Sequence, residues 1–549
     1  MKTFGGAFQH PSSILLFALA FLVAVHFGAY AQGDNRASVL CSSIGDRFSC
    51  KIQPFSAAVW SARGSVIAST INTTGWGSLE VESNTDAAEE AAAYGAGFIE
   101  GYLTFSLIDL AWLGNPVDPS DKAAQFIQEN VAWVLSQAKT HGPTDPYWHQ
   151  VGLVYIQQQG LYAGYVLASN GAPALTANQL MYFALQAEEN DIELVVNPSS
   201  RPDWANMDHA EFKRQTITRS HCSAIFKVTA DFSDVLAAHD TWSAYTTMLR
   251  LIKSYTSSGR SASTADLMLS SYPGVMASID DFYLTSQQIV ITETTNNVFN
   301  NSLFDLVTVQ SVPYWVRVTV ASKLATSAQQ WHDLFYKYNS GTYNNQWMTL
   351  DYKLFTPTQP LQTGLFWVSE QLPGYHHSAD QTMVLQRGYW PSYNAPFYED
   401  IYRLSGYPEQ VKRHGPVASY QLAPRASLFR KYAGQTDSFA ELQSFMLLNT
   451  YGEGDPLAGS PYDAIAARGD LDPEEPLGFG AIDSKMTSAS LARTGMFKAI
   501  SGPTHMQHPP FAWTGHFADQ SVYPHYGQPR VFNFSWVAFS LRGENGTRD

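Results

Sequence analysis

The chain is 549 residues long, 45% hydrophobic and 13% aromatic, with a formal net charge of −15 at pH 7. A chain this long and this apolar can bury a sizeable core, as one large domain or two to three smaller ones, which excludes a disordered polymer. The acidic balance argues against a phosphate-backbone partner, so nucleic acid is not an expected ligand.

Lys2 precedes an apolar run from Ile14 to Val25, and Ala29-Tyr30-Ala31 gives the small-x-small pattern that a signal peptidase accepts. These features predict a signal peptide over residues 1–31, a mature chain from Gln32 and entry into the secretory pathway, with the lysosome and the extracellular space both open. No later stretch stays apolar for the ~18 residues of a membrane span, because Glu100 and Asp109 interrupt the segment around Phe98 to Leu113. No transmembrane anchor is therefore expected. Glycosylation sequons at Asn72, Asn300, Asn533 and Asn545 fit lumenal exposure, whereas Pro198 disqualifies Asn197. Of three cysteines, Cys41 and Cys50 are near enough to close a small disulfide loop in an oxidising compartment, which leaves Cys222 over. A leftover cysteine in a secreted chain is either an inert buried thiol or a reactive one.

Ala57 to Ser83 reads as two strands joined by a tight turn at Arg63-Gly64. From Thr85 the period changes, and helical patterns follow, with Ala123 to Lys139, Tyr147 to Ala168 and Thr176 to Asn190 forming a helical layer. A break at Pro198 to Pro202 leads into a polar stretch, Asp208 to Ser220, read as a cleavable linker within 208–221. Cys222 to Thr229, a turn at Ala230 to Ser233 and Asp234 to His239 form a strand hairpin, followed by an expected helix from Trp242 to Ser254. Further strands are predicted at Gln288 to Thr294, Trp315 to Ala321, Trp347 to Phe355 and Gly364 to Glu370, before a loop-rich last quarter.

The sequence has no G-x-S-x-G elbow, H-E-x-x-H, P-loop or paired C-x-x-C, which disfavours an ordinary serine lipase. His376-His377 and His505 with His508 lack carboxylates at ligand spacing and read as surface or packing residues, so no metal and no cofactor is called for. Cys222 stands at the head of a predicted strand, before the small residues Ser223 and Ala224, which leave room for an acyl group. Cutting the His221–Cys222 bond would free an α-amine with a pKa near ~8 that can serve as base for the adjacent thiol. The thiol itself could begin the cut by attacking the His221 carbonyl. The chain would then divide into an N-terminal fragment, 32–221, and a C-terminal fragment, 222–549, that stay associated.

The motifs Asn72-Thr-Thr-Gly-Trp-Gly, Gly101-Tyr-Leu-Thr, Asp145-Pro-Tyr-Trp, His221-Cys-Ser-Ala, Ser271-Tyr-Pro-Gly, Thr292-Glu-Thr-Thr-Asn-Asn, Tyr338-Asn-Ser-Gly-Thr-Tyr-Asn-Asn-Gln-Trp, Gly388-Tyr-Trp-Pro-Ser-Tyr-Asn and Ala464-Ile-Ala-Ala-Arg stand in order along the mature chain. Through them the chain resembles the phospholipase B-like (lamina ancestor) family. The resemblance implies an α+β fold, an αββα four-layer sandwich of the N-terminal nucleophile hydrolase type. It implies Cys222 as nucleophile, with His239 and Trp242 shaping its pocket. Asn394, in Asn-Ala-Pro-Phe-Tyr, is similar to an asparagine that donates to an oxyanion in related enzymes, and Arg425 resembles an arginine supporting the site. The Thr292 to Asn296 segment is expected to line the site without one residue being singled out. Two departures stand out: Leu457-Ala-Gly-Ser-Pro lacks a cysteine pair found in many members, and Asp240 replaces an uncharged residue, which implies extra charge in the pocket.

The leading reading is a hydrolase that removes acyl chains from glycerophospholipids through an acyl-thioester on Cys222. An amidase acting on N-acyl amides or small peptides fits the same residues. A third reading is a lumenal lipid-binding glycoprotein without turnover, in which Cys222, His239 and Trp242 are core.

Overall fold

The computed structural model describes residues 35–45, 47–217, 219, 222–259 and 264–542. The expected signal peptide, the start at Gln32, His221 and the sequon at Asn545 lie outside the described residues.

Two sheets lie at the centre. The larger has eleven strands, in the spatial order Tyr375–Asp380, Phe366–Leu372, Asn345–Asp351, Ile289–Thr295, Phe282–Thr285, Leu267–Ser271, Leu251–Ser257, Gly77–Ser83, Ala62–Ile67, Asn35–Ile44 and Arg47–Gln53. Neighbours are antiparallel except Gly77–Ser83 and Leu251–Ser257, which run parallel. The smaller has six, in the order Tyr389–Ser392, Ser223–Val228, Val235–Asp240, Asp483–Thr487, Met496–Ser501 and Val537–Ser540.

Strand side chains alternate between faces, and the alternation divides the apolar residues into separate cores. Phe226, Val235 and Ala237 of the smaller sheet pack with Ile252, Met268, Val290 and Met348 of the larger, filling the space between the sheets. Their neighbours Ile225, Leu236 and Ala238 point the other way, onto Leu428, Phe429, Leu442 and Phe445 of helices Pro424–Tyr432 and Phe439–Met446. On the far face of the larger sheet, Leu251, Ile289 and Ile291 share a core with Ile99, Val151, Leu161 and Trp315 of helices Glu89–Gly114, Pro146–Ala168 and Tyr314–Leu324. The result is the expected αββα four-layer sandwich.

Glycine sets the distance between the two long helices. An added Cβ would lie 1.8 Å from the Gln157 carbonyl oxygen at Gly97 and 2.0 Å from that of Leu161 at Gly101. It would lie 2.0 Å from Tyr94 O at Gly160 and 1.9 Å from Phe98 O at Gly164. Among the described residues, Glu89–Gly114 is the one helix long and apolar enough to cross a membrane, yet 56% of that window is buried. Its Glu100 accepts from Lys253 Nζ at 2.7 Å and from Tyr255 Oη at 2.7 Å, tying helix to sheet.

Several local expectations are corrected. Trp315 to Ala321, rich in β-branched residues, is helical within Tyr314–Leu324, entered through Pro313 and buried on nearly every side. The expected helix from Trp242 to Ser254 is instead a short strand, Trp242–Ala244, a single 3-10 turn and the strand Leu251–Ser257. That strand's both-face burial removed the alternation that marks a strand. Arg63-Gly64 lies inside Ala62–Ile67, where a Cβ on Gly64 would come within 2.8 Å of Glu80 O; the chain reverses later, through the short helix Ile71–Thr74. Thr176 to Asn190 divides into Ala177–Ala184 and the start of Glu189–Val196. The polar stretch expected as a linker forms the helix His209–Ile217, begun by Asp208 Oδ1 accepting from Glu211 N at 2.8 Å and anchored by buried Phe212. Cys41 and Cys50 pair across adjacent strands as a disulfide. Asn72 and Asn533 are exposed, and Asn300 is partly so.

Candidate active site

Cys222 immediately precedes the strand Ser223–Val228, is 1% exposed, and is the free cysteine of the chain. Its φ of +85° lies in the left-handed region that a residue with a Cβ avoids. Asp281 (+50°), Tyr343 (+53°) and Asn394 (+66°) share this unusual backbone. Cys222 and three further residues of this region thus hold left-handed backbone, a conformation that persists where the surrounding structure over-determines it.

The hairpin register pairs Ala224 with His239 and Ser223 with Asp240, which brings His239 alongside the cysteine. Cys222 Sγ, a His239 ring nitrogen and a Glu293 carboxylate oxygen lie within 4.8 Å of one another, all three buried. Glu293 belongs to Ile289–Thr295 of the larger sheet, so the cluster sits where the two sheets meet. It is the acid of the Thr292 to Asn296 segment, and it lies beside the thiol.

On the other side of Cys222, one guanidinium joins the remaining expected residues. Arg425, in the first turn of Pro424–Tyr432, donates from Nη1 to the Cys222 carbonyl at 2.5 Å and to Ser223 Oγ at 3.3 Å, and from Nη2 to Asn394 Oδ1. It also stacks 4.2 Å above the Trp242 ring. The Ile465 carbonyl accepts from both Trp242 Nε1 (3.1 Å) and Ser223 Oγ (2.9 Å), which explains the structural use of the Ala464-Ile-Ala-Ala-Arg motif. Asn394 Nδ2 donates to the Thr295 carbonyl at 2.6 Å, and Tyr407 Oη donates to the Asn394 carbonyl at 2.7 Å. Removal from water lowers Arg425 to about 10, with the neighbouring Cys222 opposing the shift.

Trp242, Asn394 and Arg425 also line an open cleft of about 100 Å³, with Phe299, Tyr393 and Tyr407 among its walls. Phe212, Lys213, Thr216 and Ile217 of the helix His209–Ile217 line the same cleft, so this helix covers part of it in the intact chain.

Burial, then Glu293 and Asp281, push the Cys222 thiol well above its usual range. Burial and the Lys485 ammonium hold His239 well below its own, so its imidazole is neutral. Burial pushes Asp240 well above the usual carboxylate range, with a hydrogen bond from Ser484 opposing the shift. Beneath the site, Lys485 Nζ bonds both Asp483 oxygens (2.7 and 2.8 Å), Thr241 Oγ1 (2.5 Å) and the Asp280 carbonyl (3.1 Å), and Arg250 pairs with Asp280 and Asp483. Sequence reasoning missed Asp281 and Tyr343. Tyr343 lies within a quoted motif, whereas the signal for Asp281 was a pair of acids, Asp280-Asp281, in a mostly apolar stretch.

Residues 62–539 match the family described as Phospholipase B. The chain belongs to the phospholipase B-like family. It is 37% identical over 485 residues to phospholipase B-like protein B of Dictyostelium discoideum, covering 85% of this chain and 84% of the relative. Phospholipase B-like 1 of Homo sapiens is 36% identical over 482 residues, covering 85% of each chain. Phospholipase B-like 1 of Bos taurus is 36% identical over 481 residues, covering 85% of this chain and 86% of the relative. Among solved structures, a mutant conjugated bile acid hydrolase from Clostridium perfringens aligns with a TM-score of 0.30 at 10% identity, over 51% of this chain and 89% of that one. The family membership and the site support a hydrolase.

Proposed function

We propose that the chain is a cysteine hydrolase that removes acyl chains from glycerophospholipids through an acyl-thioester on Cys222, after cleavage of the His221–Cys222 bond. The observation that carries this reading is the setting of Cys222. A lone thiol stands at the head of a strand, and the guanidinium bonded to its carbonyl also fixes Asn394 at the wall of an aromatic-lined cleft.

In the intact chain the thiol has no neighbouring α-amine and is held neutral. Attack of Sγ on the His221 carbonyl forms a thioester and releases the Cys222 nitrogen as an amine; water then takes the acyl carbon and returns a proton to sulfur. The φ of +85° supports this step, because strain of about 1–3 kcal/mol at such a residue is relieved once it becomes a chain terminus. In turnover the α-amine takes the thiol proton, sulfur attacks the ester carbonyl, and the amine returns the proton to the leaving alcohol. Water completes the cycle with the same amine as base.

Asn394 donates to the oxyanion from an amide whose oxygen is fixed by Arg425, an interaction of a kind typically worth ~3 kcal/mol in the barrier. His239 and Trp242 shape the pocket. Association of the fragments 32–221 and 222–549 is supported by the larger sheet, where Gly77–Ser83 pairs residue by residue with Leu251–Ser257. The Cys41–Cys50 disulfide supports an oxidising, secretory compartment, lysosomal or extracellular.

The test is to incubate purified protein at acidic pH beside Cys222→Ser and to sequence the new N-termini, then to offer phospholipid vesicles and N-acyl amides. The expected result is a fragment beginning at Cys222, absent from the variant, that releases fatty acid from phospholipid and carries a trapped acyl group on Cys222. A chain that stays whole under every acidic condition, or a new terminus that leaves Cys222 internal, overturns the reading. Turnover of the amides alone would replace the ester with an amide.

A further inference from the structure

The proposed cleavage leaves one proton unassigned. Before the cut Cys222 has no α-amine, so another group must take the proton from Sγ and deliver one to the departing Cys222 nitrogen.

A buried carboxyl pair stands beside the thiol. Glu293 is one corner of the 4.8 Å triangle with Cys222 Sγ and His239. Tyr343 Oη lies 2.5 Å from Asp281 Oδ2 and 3.1 Å from Glu293 Oε1, bridging the two acids, and all three residues are buried. A phenol carries a single proton and can donate to only one of its two carboxyl neighbours. The other contact is a hydrogen bond only if that carboxyl holds a proton of its own.

Charge counting agrees. The groups facing the pair are Tyr343, Tyr283 and Tyr314, the Cys222 thiol, Asp280 and Lys485. His239, neutral, adds no charge. Lys485 is bonded to Asp483, and Arg250 to Asp483 and Asp280, so two cations face two carboxylates and no positive charge is left over for the pair. Two carboxyls so placed cannot both ionise, so they keep at least one proton between them.

We infer that Asp281 and Glu293, bridged by Tyr343, form a one-proton relay for the cleavage before Cys222. This rests on the self-cleavage reading above. The shared proton exchanges between the two acids, and in the form that has it on Asp281 the freed Glu293 carboxylate takes the proton from Sγ as sulfur bonds to the His221 carbonyl carbon. When the C–N bond breaks, Glu293 gives that proton to the Cys222 nitrogen. The pair ends as it began, one S–C bond replaces one N–C bond, and no external acid or base is consumed. Glu293 is the group that meets the reacting atoms; Asp281 and Tyr343 are positioning residues that hold the second proton site.

The experiment follows cleavage of the full-length protein from pH 4 to 8 in the wild type, Glu293→Gln, Asp281→Asn, Tyr343→Phe and Cys222→Ala, with circular dichroism to confirm folding. Glu293→Gln is expected to slow the cut at least ~100-fold at every pH, within the usual range for a positioned acid–base group. Asp281→Asn and Tyr343→Phe are expected to cut more slowly and with a displaced pH profile, a change that a merely structural role would not produce. In the intact chain Cys222 is the free thiol, so its ionisation can also be followed by thiolate absorbance. Glu293→Gln is expected to lower the pH at which it ionises, because the acidic neighbour holds it up.

If Glu293→Gln is cut at the wild-type rate with an unchanged profile while Cys222→Ala stays whole, the relay is wrong and the nucleophile stands. If the wild type never cuts, or Cys222→Ala cuts, the cleavage reading falls and the relay with it, whatever the thiol titration shows. An unchanged titration in Glu293→Gln overturns the coupling of the pair to the thiol by itself.

Discussion

Arg425→Met tests whether one guanidinium organises the site. The substitution keeps an apolar side chain against Trp242 but strips a donor from the Cys222 carbonyl and another from Asn394 Oδ1. Cys222 is 1% and Asn394 5% exposed, so water does not readily replace either bond. Each buried acceptor left bare costs about 1–3 kcal/mol, and loss of the stack on Trp242 adds about 1 kcal/mol. Removing the desolvation penalty of the guanidinium returns part of this, so the net destabilisation is expected at about 2–4 kcal/mol. Arg425→Lys should recover less than half, because a single ammonium cannot span acceptors that the planar fork reaches together. The assay is urea unfolding of the intact chain with the slope checked for constancy, beside turnover of the mature protein. Turnover should fall through kcat about 10- to 100-fold as Asn394 loses its orientation, with KM little changed. An Arg425→Met protein that matches the wild type in midpoint and kcat would refute the argument, and an Arg425→Lys protein that does so would reduce the role of Arg425 to simple charge.

Gly160→Ala places a methyl 2.0 Å from the Tyr94 carbonyl oxygen, which forces the two long helices apart. Overpacking of this kind costs about 3 kcal/mol or more, and a thermal midpoint within a degree of wild type would contradict the close-packing account. Glu100→Gln leaves the buried Lys253 ammonium without its counter-charge, at about 3–5 kcal/mol. Adding Lys253→Met should return most of that loss in chemical denaturation, and a strictly additive double variant would show that the pair does not act as a unit. Burial raises Glu370 to about 7 and Asp109 to about 6. Folding therefore tightens proton binding at both, and their contribution, complete below an unfolded pKa of about 4, is lost as pH rises through 6 to 7. Asp455, bonded by the Leu457 amide and Lys431, and Asp483, held down by Lys485 and Arg250 against its burial, sit at about 2. Their contribution is present above about pH 4 and lost as pH falls through 2. The thermal midpoint is expected to be higher at pH 5 than at pH 7.5, with Glu370→Gln flattening the decline; a midpoint that rises over that interval would contradict it.

Where one face of an element is wet, the sequence announced it. Asp121–His141 and Pro146–Ala168 carry their caps in the sequence, with Ser120 Oγ accepting from Ala123 N and Asp145 Oδ1 from Tyr147 N. The hairpin after Cys222 was legible from its polar turn. The failures lie where burial is complete. Leu251–Ser257 and Tyr314–Leu324 are covered on nearly all sides, so neither shows the period that separates strand from helix, and β-propensity misassigned the second. The helix His209–Ile217 failed for the opposite reason: its polar composition hides Phe212, whose ring packs against Trp204, Phe299 and His414.

The site follows the same division. Cys222 and the motif segments were legible because their spacing is local, and resemblance carried Asn394 and Arg425. Asp281 was not, because its meaning arises only when the loop before Phe282–Thr285 meets Tyr343, before Asn345–Asp351, and Glu293 in the strand between. An acid in a loop is ordinary; an acid at a φ of +50°, fully buried and bonded to a tyrosine that touches a second buried acid, is not. That arrangement costs stability through backbone strain and desolvation together. A fold that needed only a packed core would be more stable with apolar residues at both positions, so the pair is best explained by the chemistry of the thiol beside it.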